Sequence, residues 1–151
     1  MDKNKPACVS VLREVSGVDW NIGDFYDEYP LTRVLMDGSA DILQIFLSVP
    51  DLDLSVIDID GRNIALIAVE TNGGDRQRCL ELLCGDRRVD AYWNKANEHD
   101  YFNRQGDTPV MYCLKNDKID MVRCIINTPG VDLKAKDKDG KGLKDIAKSV
   151  S

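Results

Sequence analysis

The sequence has few of the residues on which catalysis and metal binding depend. It contains one histidine, His99, and five cysteines, none of them in a C-x-x-C pair, so the usual spacing of zinc ligands is missing. There is no Gly-rich phosphate loop and no serine or cysteine in a recognisable nucleophile motif. We therefore predict a protein that is not an enzyme and that uses no cofactor and no metal.

Long apolar runs and an excess of positive charge are also missing. No run approaches the roughly 18 apolar residues of a membrane span, and the stretch from Met1 to Lys5 lacks the apolar segment of a secretory signal. The net charge of −6 disfavours nucleic acid as the main partner. We expect no membrane and no nucleic-acid partner, an intracellular location in cytoplasm or nucleus, and a monomeric domain.

What the sequence does contain is a six-residue pattern that recurs at nearly fixed intervals. Its clearest copy is Thr-Pro-Val-Met-Tyr-Cys at 108–113, and degraded copies begin at Tyr29, Asn63 and Gly142. The starting positions are separated by 34, 45 and 34 residues. A period of this size is typical of a solenoid, in which each unit buries its apolar face only against its neighbours.

A second pattern, apolar-Asp-x-polar, keeps the same register. Its aspartates are Asp19, Asp53, Asp90 and Asp132. Three of them precede a hexad by ten residues, whereas Asp90 precedes its hexad by 18, so eight residues are inserted there. Two patterns that share one register indicate a true repeat.

Each unit is predicted to contain two helices. Proline in the second hexad position suits the first turn of a helix, where its missing N–H has no partner, and Thr108 before it can cap that helix. A second segment with a broad apolar face follows, as in 42–47 and 121–126. The stretches 58–61 and 137–140 are predicted to be turns that lead into the next unit.

The hexads resemble the T-P-L-H-x-A signature of ankyrin repeats, and the resemblance covers most of the chain. It implies an all-α solenoid of stacked antiparallel helix pairs with projecting β-turn finger loops, in a single domain over 1–151. The family's histidine at the fourth hexad position is absent, so the hydrogen bonds that bridge its fingers are missing. We expect half repeats at 5–18 and 133–151, and full repeats at about 19–53, 54–90 and 91–132.

The resemblance also implies a function. Ankyrin repeats bind protein partners along a concave face made by the finger tips and the inner side of the first helices, so we predict an interaction module for an unidentified protein. Transferred by register, the candidate residues on that face are Phe25, Tyr26, Arg33, Arg62, Arg104, Asp107 and Tyr112.

The eight inserted residues lengthen the third finger, 91–104. Four of the ten aromatic residues fall within 92–102, and aromatic residues beside arginine are typical of binding hot spots. Either these side chains contact a partner, or they fold back and cover the loop; Trp93 is expected to be packed and His99 exposed. The candidate binding residues of this finger are Tyr92, Trp93, His99, Tyr101, Phe102 and Arg104.

A second irregularity lies in Thr71 to Gln77, which lengthens the loop between the two helices of that repeat by three residues. Gly73 and Gly74 make it flexible and polar, and we interpret it as a surface insertion, with a contact loop as the alternative.

The cysteines fall at positions that are apolar in the other repeats, where cysteine behaves as a small hydrophobic residue. We therefore expect them to be buried and reduced, as in cytosol or nucleus. They are Cys8, Cys79, Cys84, Cys113 and Cys124.

Two other functions stay open. The chain begins halfway through a repeat, which fits a structural spacer cut from a longer array, since Cys8, Val9 and Val11 otherwise lack a neighbour on one side. A small regulatory inhibitor of an enzyme is a special case of the interaction module.

Overall fold

In the computed structural model the described residues are 6–26, 28–96 and 106–150, and this part of the chain is helical. None of its helices is long and apolar enough to cross a membrane. The helices are α1 Pro6–Arg13, α2 Pro30–Met36, α3 Ala40–Leu47, α4 Ile64–Glu70, α5 Arg76–Cys84, a 3₁₀ helix Arg87–Tyr92, α6 Pro109–Lys115, α7 Ile119–Ile126 and α8 Leu143–Ser149.

The α-helices form two rows. The first helices of the repeats, α2, α4, α6 and α8, pack side by side, and the second helices, α1, α3, α5 and α7, do the same. Within each full repeat the two rows are joined by contacts of α2 with α3, α4 with α5, and α6 with α7. This arrangement confirms the predicted all-α array of stacked helix pairs.

The core lies between the two rows, and burial depends on having a neighbour on both sides. In the middle of the array, α4 buries every residue from Ile64 to Val69. At the edge, α1 packs against α3 and buries none of its residues. Cys8 on α1 is therefore exposed, and its expected burial is wrong because no helix covers the outer side of α1 among the described residues.

The other cysteines are buried to different degrees. Cys79 and Cys113 are buried as expected, whereas Cys84 and Cys124 are partly buried. All five cysteines are free thiols.

The starts of the first helices differ in their caps. The Asn63 side chain accepts hydrogen bonds from the backbone N–H groups of Ala65 and Leu66, at 3.0 and 3.1 Å, and so caps α4. Thr108 precedes α6 in the same position, but its hydroxyl makes no capping hydrogen bond. The predicted cap by Thr108 is wrong, and its buried hydroxyl has no partner within the described residues.

An aspartate builds the turn of each described finger. Asp24, Asp58 and Asp137 each accept hydrogen bonds from the backbone N–H groups two and four residues later, over 2.8–3.0 Å. In the second and last of these fingers an isolated antiparallel bridge closes the turn. These turns confirm that 58–61 and 137–140 lead into the next repeat.

The lengthened loop, predicted at Thr71 to Gln77, ends at Asp75 because α5 begins at Arg76, and it packs against the preceding repeat. Asp75 donates its backbone N–H to the carbonyl oxygen of Gly38 over 2.8 Å. A Cβ atom on Gly74 would lie 2.4 Å from the carbonyl oxygen of Asp37, closer than real Cβ contacts. The two glycines of this loop therefore allow close backbone contact with the turn between α2 and α3, which the expectation of a flexible surface insertion missed.

The inserted segment after Asp90 is partly folded onto the array. Asp90 lies in the 3₁₀ helix, unlike Asp132, whose carboxylate accepts the N–H of Lys134 in a turn. Asn94 then joins two repeats, because its amide nitrogen donates to the carbonyl oxygen of Gly130 and its amide oxygen accepts the N–H of Asp132, both over 2.7 Å.

Candidate functional site

The tip of the first finger exposes two aromatic side chains. Phe25 is 95% exposed and Tyr26 70% exposed. Their rings meet edge to face, with centroids 5.6 Å apart and an interplanar angle of 87°. The carboxylate of Asp24 holds the turn by accepting the N–H groups of Tyr26 and Glu28. The backbone therefore presents both rings to solvent.

The second finger continues this apolar tip. Its chain alternates from residue 52 to 59, with the even positions buried and the odd ones exposed, as in a strand with one face on the core. Ile57 and Ile59 lie on the exposed side, and Ile59 follows its turn aspartate as Phe25 follows Asp24. Because α2 packs against α4, the two fingers are neighbours.

We call these residues the N-terminal finger surface: Ile22, Phe25, Tyr26, Ile57 and Ile59, all of them exposed. In the last finger, the positions of Ile57 and Ile59 are occupied by Lys136 and Lys138. The exposed apolar tips are thus a property of the first two fingers and not of every described finger.

A shallow groove of about 290 Å³ lies beside the first finger. Arg33 stands at this groove and forms an ion pair with Asp37, over 3.3 Å, in which both side chains are largely exposed. Such a pair contributes little to stability, so Arg33 is available to a partner. The groove is lined by Ile22, Gly23, Asp24, Glu28, Tyr29, Pro30 and Arg33.

Arg62, by contrast, is held by its own chain. Its guanidinium lies 2.5 Å from the carboxylate of Asp58 and 3.0 Å from that of Glu70. Burial works to lower the pKa of Arg62, but the hydrogen bonds that it donates to Asp58 and Glu70 raise it above its ordinary value. A partner carboxylate would have to replace these bonds, so Arg62 serves to fix the second finger on α4.

Asp107 and Lys115 hold, one repeat later, the positions of Arg62 and Glu70. The acid and the base have changed places. The Nζ atom of Lys115 lies 2.7 Å from Asp107 and 3.2 Å from Asp137 of the next finger. Burial raises the pKa of Asp107 in spite of the ammonium group. Asp107 is buried inside this cluster and therefore does not face an open surface.

The remaining described aromatic candidates are packed to different degrees. Trp93 is fully buried, as its expected packing requires, and its Nε1 has no hydrogen-bond partner in the described part of the chain. Tyr112 is buried, with the Nζ of Lys118 5.1 Å from its ring. Tyr92 is half-buried, and the Nζ of Lys95 lies 4.8 Å from its ring.

Four candidates of the third finger, namely His99, Tyr101, Phe102 and Arg104, lie outside the described residues. Whether this finger contacts a partner therefore stays a prediction.

Two of the buried cysteines are poor nucleophiles. Burial raises the pKa of Cys79 to about 11 and that of Cys113 to about 12, so neither thiol is ionised at neutral pH. No group of three His, Cys, Asp or Glu side chains among them could hold a metal ion. The described arrangement does supply exposed apolar side chains on a finger turn that hydrogen bonds hold.

Sequence reasoning missed Ile22, Ile57 and Ile59. The signal that finds the two isoleucines of the second finger is the turn aspartate: Asp24 and Asp58 are 34 residues apart. When the fingers are aligned on these aspartates, Ile59 falls at the position that Phe25 holds in the first finger. Sequence alone leaves open which side of each finger is exposed.

Comparisons with known proteins address the family. The Ankyrin repeat family matches residues 105–138, which hold α6, α7 and the turn before α8. No curated protein matches the chain. One solved structure that it resembles shows a predatory endopeptidase from Bdellovibrio bacteriovorus in complex with an immunity protein. The identity is 21%, over 95% of this chain and 86% of that one, with a TM-score of 0.41.

The family match lies within the two rows of stacked helix pairs, where one pair follows another at the spacing of the hexads. These observations show one stretch that matches the Ankyrin repeat family, residues 105–138, beside described helix pairs that stack in the same way.

Proposed function

We propose that the chain is a protein-interaction module whose partner docks on the N-terminal finger surface. Ankyrin repeats bind protein partners, which supports the general class. The observation that carries the proposal is the exposure of Phe25 and Tyr26, at 95% and 70%, on a tip whose turn is already fixed.

The free energy for such binding comes from burying these side chains. Removing a phenylalanine side chain from water is worth about 1.5–3 kcal/mol, and aromatic residues are enriched among interface hot spots. Because Asp24 already orders the turn, little conformational entropy is lost when the partner docks. A rigid, apolar tip of this kind suits recognition of a protein better than recognition of a small molecule.

The other predicted residues take different parts in the proposal. Arg33 lies at the groove next to the tip and forms the polar rim. Trp93, Asp107 and Tyr112 are buried within the array. Arg62 is held by its ion pairs, and Tyr92 is half-buried against the core. For the third finger we keep the prediction made from the sequence, that His99, Tyr101, Phe102 and Arg104 contact the partner.

Selection from a phage-displayed library of random peptides tests the proposal without a known partner. The wild-type chain is the bait, and the variant Phe25→Ala/Tyr26→Ala is the counter-selection bait. We expect peptides to be enriched that bind the wild type and lose binding to this variant, because both rings are hot-spot side chains.

The matched control is Ile119→Ala/Ile126→Ala, which removes two exposed apolar side chains from α7. The selected peptides should bind this control as they bind the wild type. If the selection returns no peptide whose binding depends on Phe25 and Tyr26, the proposed function is wrong.

A second candidate function, the structural spacer, is favoured by α1. This helix buries none of its residues, and Val11, Leu12 and Val15 on it are exposed. A consensus ankyrin helix pair fused before Pro6 tests this candidate by urea denaturation. A spacer predicts a gain of several kcal/mol, about the worth of a few buried side chains; an unchanged free energy of unfolding argues against it.

A further inference from the structure

We infer that the partner presents a basic segment to the N-terminal finger surface, with lysine or arginine side chains next to apolar ones. The inference rests on the proposed function and names the chemistry of its partner. Five observations carry it: the uneven charge along the chain, the acids around the finger tips, the pairing of the nearby cations, the exposed rings, and the contrast with the last finger.

The charge of the chain is strongly uneven. Residues 1–75, which include the first two fingers, hold 5 Lys and Arg but 14 Asp and Glu, a net charge of −9. Residues 76–151 hold 15 Lys and Arg and 12 Asp and Glu, a net charge of +3. The field around the first two fingers therefore attracts a positively charged partner and speeds its approach.

Acidic side chains stand directly beside the apolar tips. Asp24 and Glu28 line the groove next to Phe25. Asp60 follows Ile59 and lies 3.3 Å from the guanidinium of Arg62, with 45% of its side chain still exposed. Neither Asp24 nor Glu28 forms an ion pair with any residue that the structure describes. Their charge is consequently available to a cation on the partner.

The cations of this region are already paired within the chain. Arg33 lies 3.3 Å from Asp37, and Arg62 is held by Asp58 and Glu70. They therefore do little to offset the acids at the tips. An acidic partner would meet the carboxylates of Asp24 and Glu28, which form no ion pair with the described residues.

The exposed rings suit the same partner. Phe25 and Tyr26 meet edge to face, which leaves ring faces open to solvent at the tip. An arginine guanidinium can stack on such a face and gain from the ring's negative charge. Its aliphatic stem would cover the neighbouring Ile59, as long basic side chains do on apolar surfaces.

The last finger limits where a basic segment can lie. Lys136 and Lys138 hold the positions of Ile57 and Ile59 there, so that end of the array repels a cation. A partner that spans the concave face must therefore place its basic part on the first two fingers. The difference in charge between the two ends of the array therefore sets the orientation in which the partner binds.

Two synthetic peptides test the inference against the whole chain. One alternates arginine with leucine, and the other has glutamate at each arginine. By isothermal titration we expect the arginine peptide to bind at least about tenfold more tightly than the glutamate peptide. Its affinity should fall in 1 M salt, where the Debye length is about 3 Å.

Glu28→Gln/Asp60→Asn removes charge beside the tips and should weaken the arginine peptide several-fold. The control Asp117→Asn/Asp120→Asn removes the same charge near the start of α7 and should weaken it less. Equal weakening by the two variants, equal binding of the two peptides, or no binding of the arginine peptide contradicts the inference.

The phage selection separates this failure from failure of the proposed function. Selected peptides that depend on Phe25 and Tyr26 should be richer in lysine and arginine than the unselected library. If they are acidic or uncharged, the surface binds proteins but the inference is wrong. If no peptide depends on these rings, both are wrong.

Discussion

Gly38 and Gly74 show how single residues set the distance between two repeats. Their backbones meet where the α2–α3 turn touches the loop before α5, and both have positive φ, +63° and +56°. A Cβ on Gly38 would lie 2.3 Å from the carbonyl oxygen of Gly73. Glycine is required here for conformation and for space together, whereas at Gly130 a Cβ would meet no atom within 4 Å.

We predict that Gly74→Ala lowers the free energy of unfolding by about 2–5 kcal/mol. The left-handed backbone accounts for about 1–2 kcal/mol, and the forced backbone shift adds the rest. Gly130→Ala is the matched control, because its φ of +84° is also positive but the space is open. Urea denaturation of both variants checks this, and equal losses would contradict the close approach.

The caps of α4 and α6 give a second prediction at this scale. Asn63→Ala should cost about 1 kcal/mol, because two N–H groups lose their acceptor. Thr108→Val should cost nothing or stabilise slightly, since the buried hydroxyl has no partner among the described residues. Thermal unfolding distinguishes the two, and a comparable loss at Thr108 would show that its hydroxyl is bonded after all.

At the scale of elements, ion pairs in two successive repeats fix the segment before a first helix to that helix. Arg62 pairs with Glu70 in one repeat, and in the next Asp107 pairs with Lys115, with the signs exchanged. A finger docked on the wrong repeat would place like charges together. The exchanged pairs therefore favour the native register of the array.

The turn of the last finger yields a pH-dependent prediction. Burial alone would raise the pKa of Asp137, but the N–H of Lys141 and the ammonium of Lys115, with the N–H of Asp139, lower it below its ordinary value. The folded state thus favours the ionised form. The contribution of Asp137 to the free energy of unfolding is fully present above the ordinary aspartate pKa of about 3.9. It is lost as the pH falls through the lowered pKa of the folded state.

Asp137→Asn should therefore destabilise the chain by about 1–2 kcal/mol at pH 7, and by progressively less below about pH 4. Asp107→Asn should cost less at pH 7, because burial raises the pKa of Asp107 and disfavours its charged form. Urea denaturation at a series of pH values measures both. A loss for Asp137→Asn that does not change with pH would contradict this account.

For the whole molecule, stacking explains both the core and its edges. The middle repeat buries its first helix completely, while α1 at one edge is exposed. The opposite edge differs, because α8 carries Lys144, Asp145 and Lys148 beside the buried Ile146. One end of the described array is thus apolar and the other charged.

Much of this fold could be predicted from the sequence, because hexads and turn aspartates report local conformation. The hexads fixed the first helices, and Asp58 with Asp137 indicated the turns before them. Contacts between repeats were harder to predict. The exposure of Cys8 and the packing of Gly74 depend on contacts with a neighbouring repeat. The sequence around each residue does not predict these contacts.

The candidate site was less predictable than the fold. Phe25 and Tyr26 could be named by register, whereas the exposure of Ile57 depends on which face of an alternating segment meets the core. The burial of Asp107 and Tyr112 likewise follows from neighbours distant in sequence. Local pattern therefore located the fingers, and tertiary packing decided which of their side chains are free to bind.

The central claim is that the N-terminal finger surface serves binding and not folding. Isothermal titration of a selected peptide into the wild type and into Phe25→Ala/Tyr26→Ala, beside urea denaturation of both, tests it most directly. We predict an affinity at least about tenfold lower and a free energy of unfolding within about 0.5 kcal/mol of the wild type. Unchanged affinity, or a loss of stability that accounts for the lost binding, would contradict the claim.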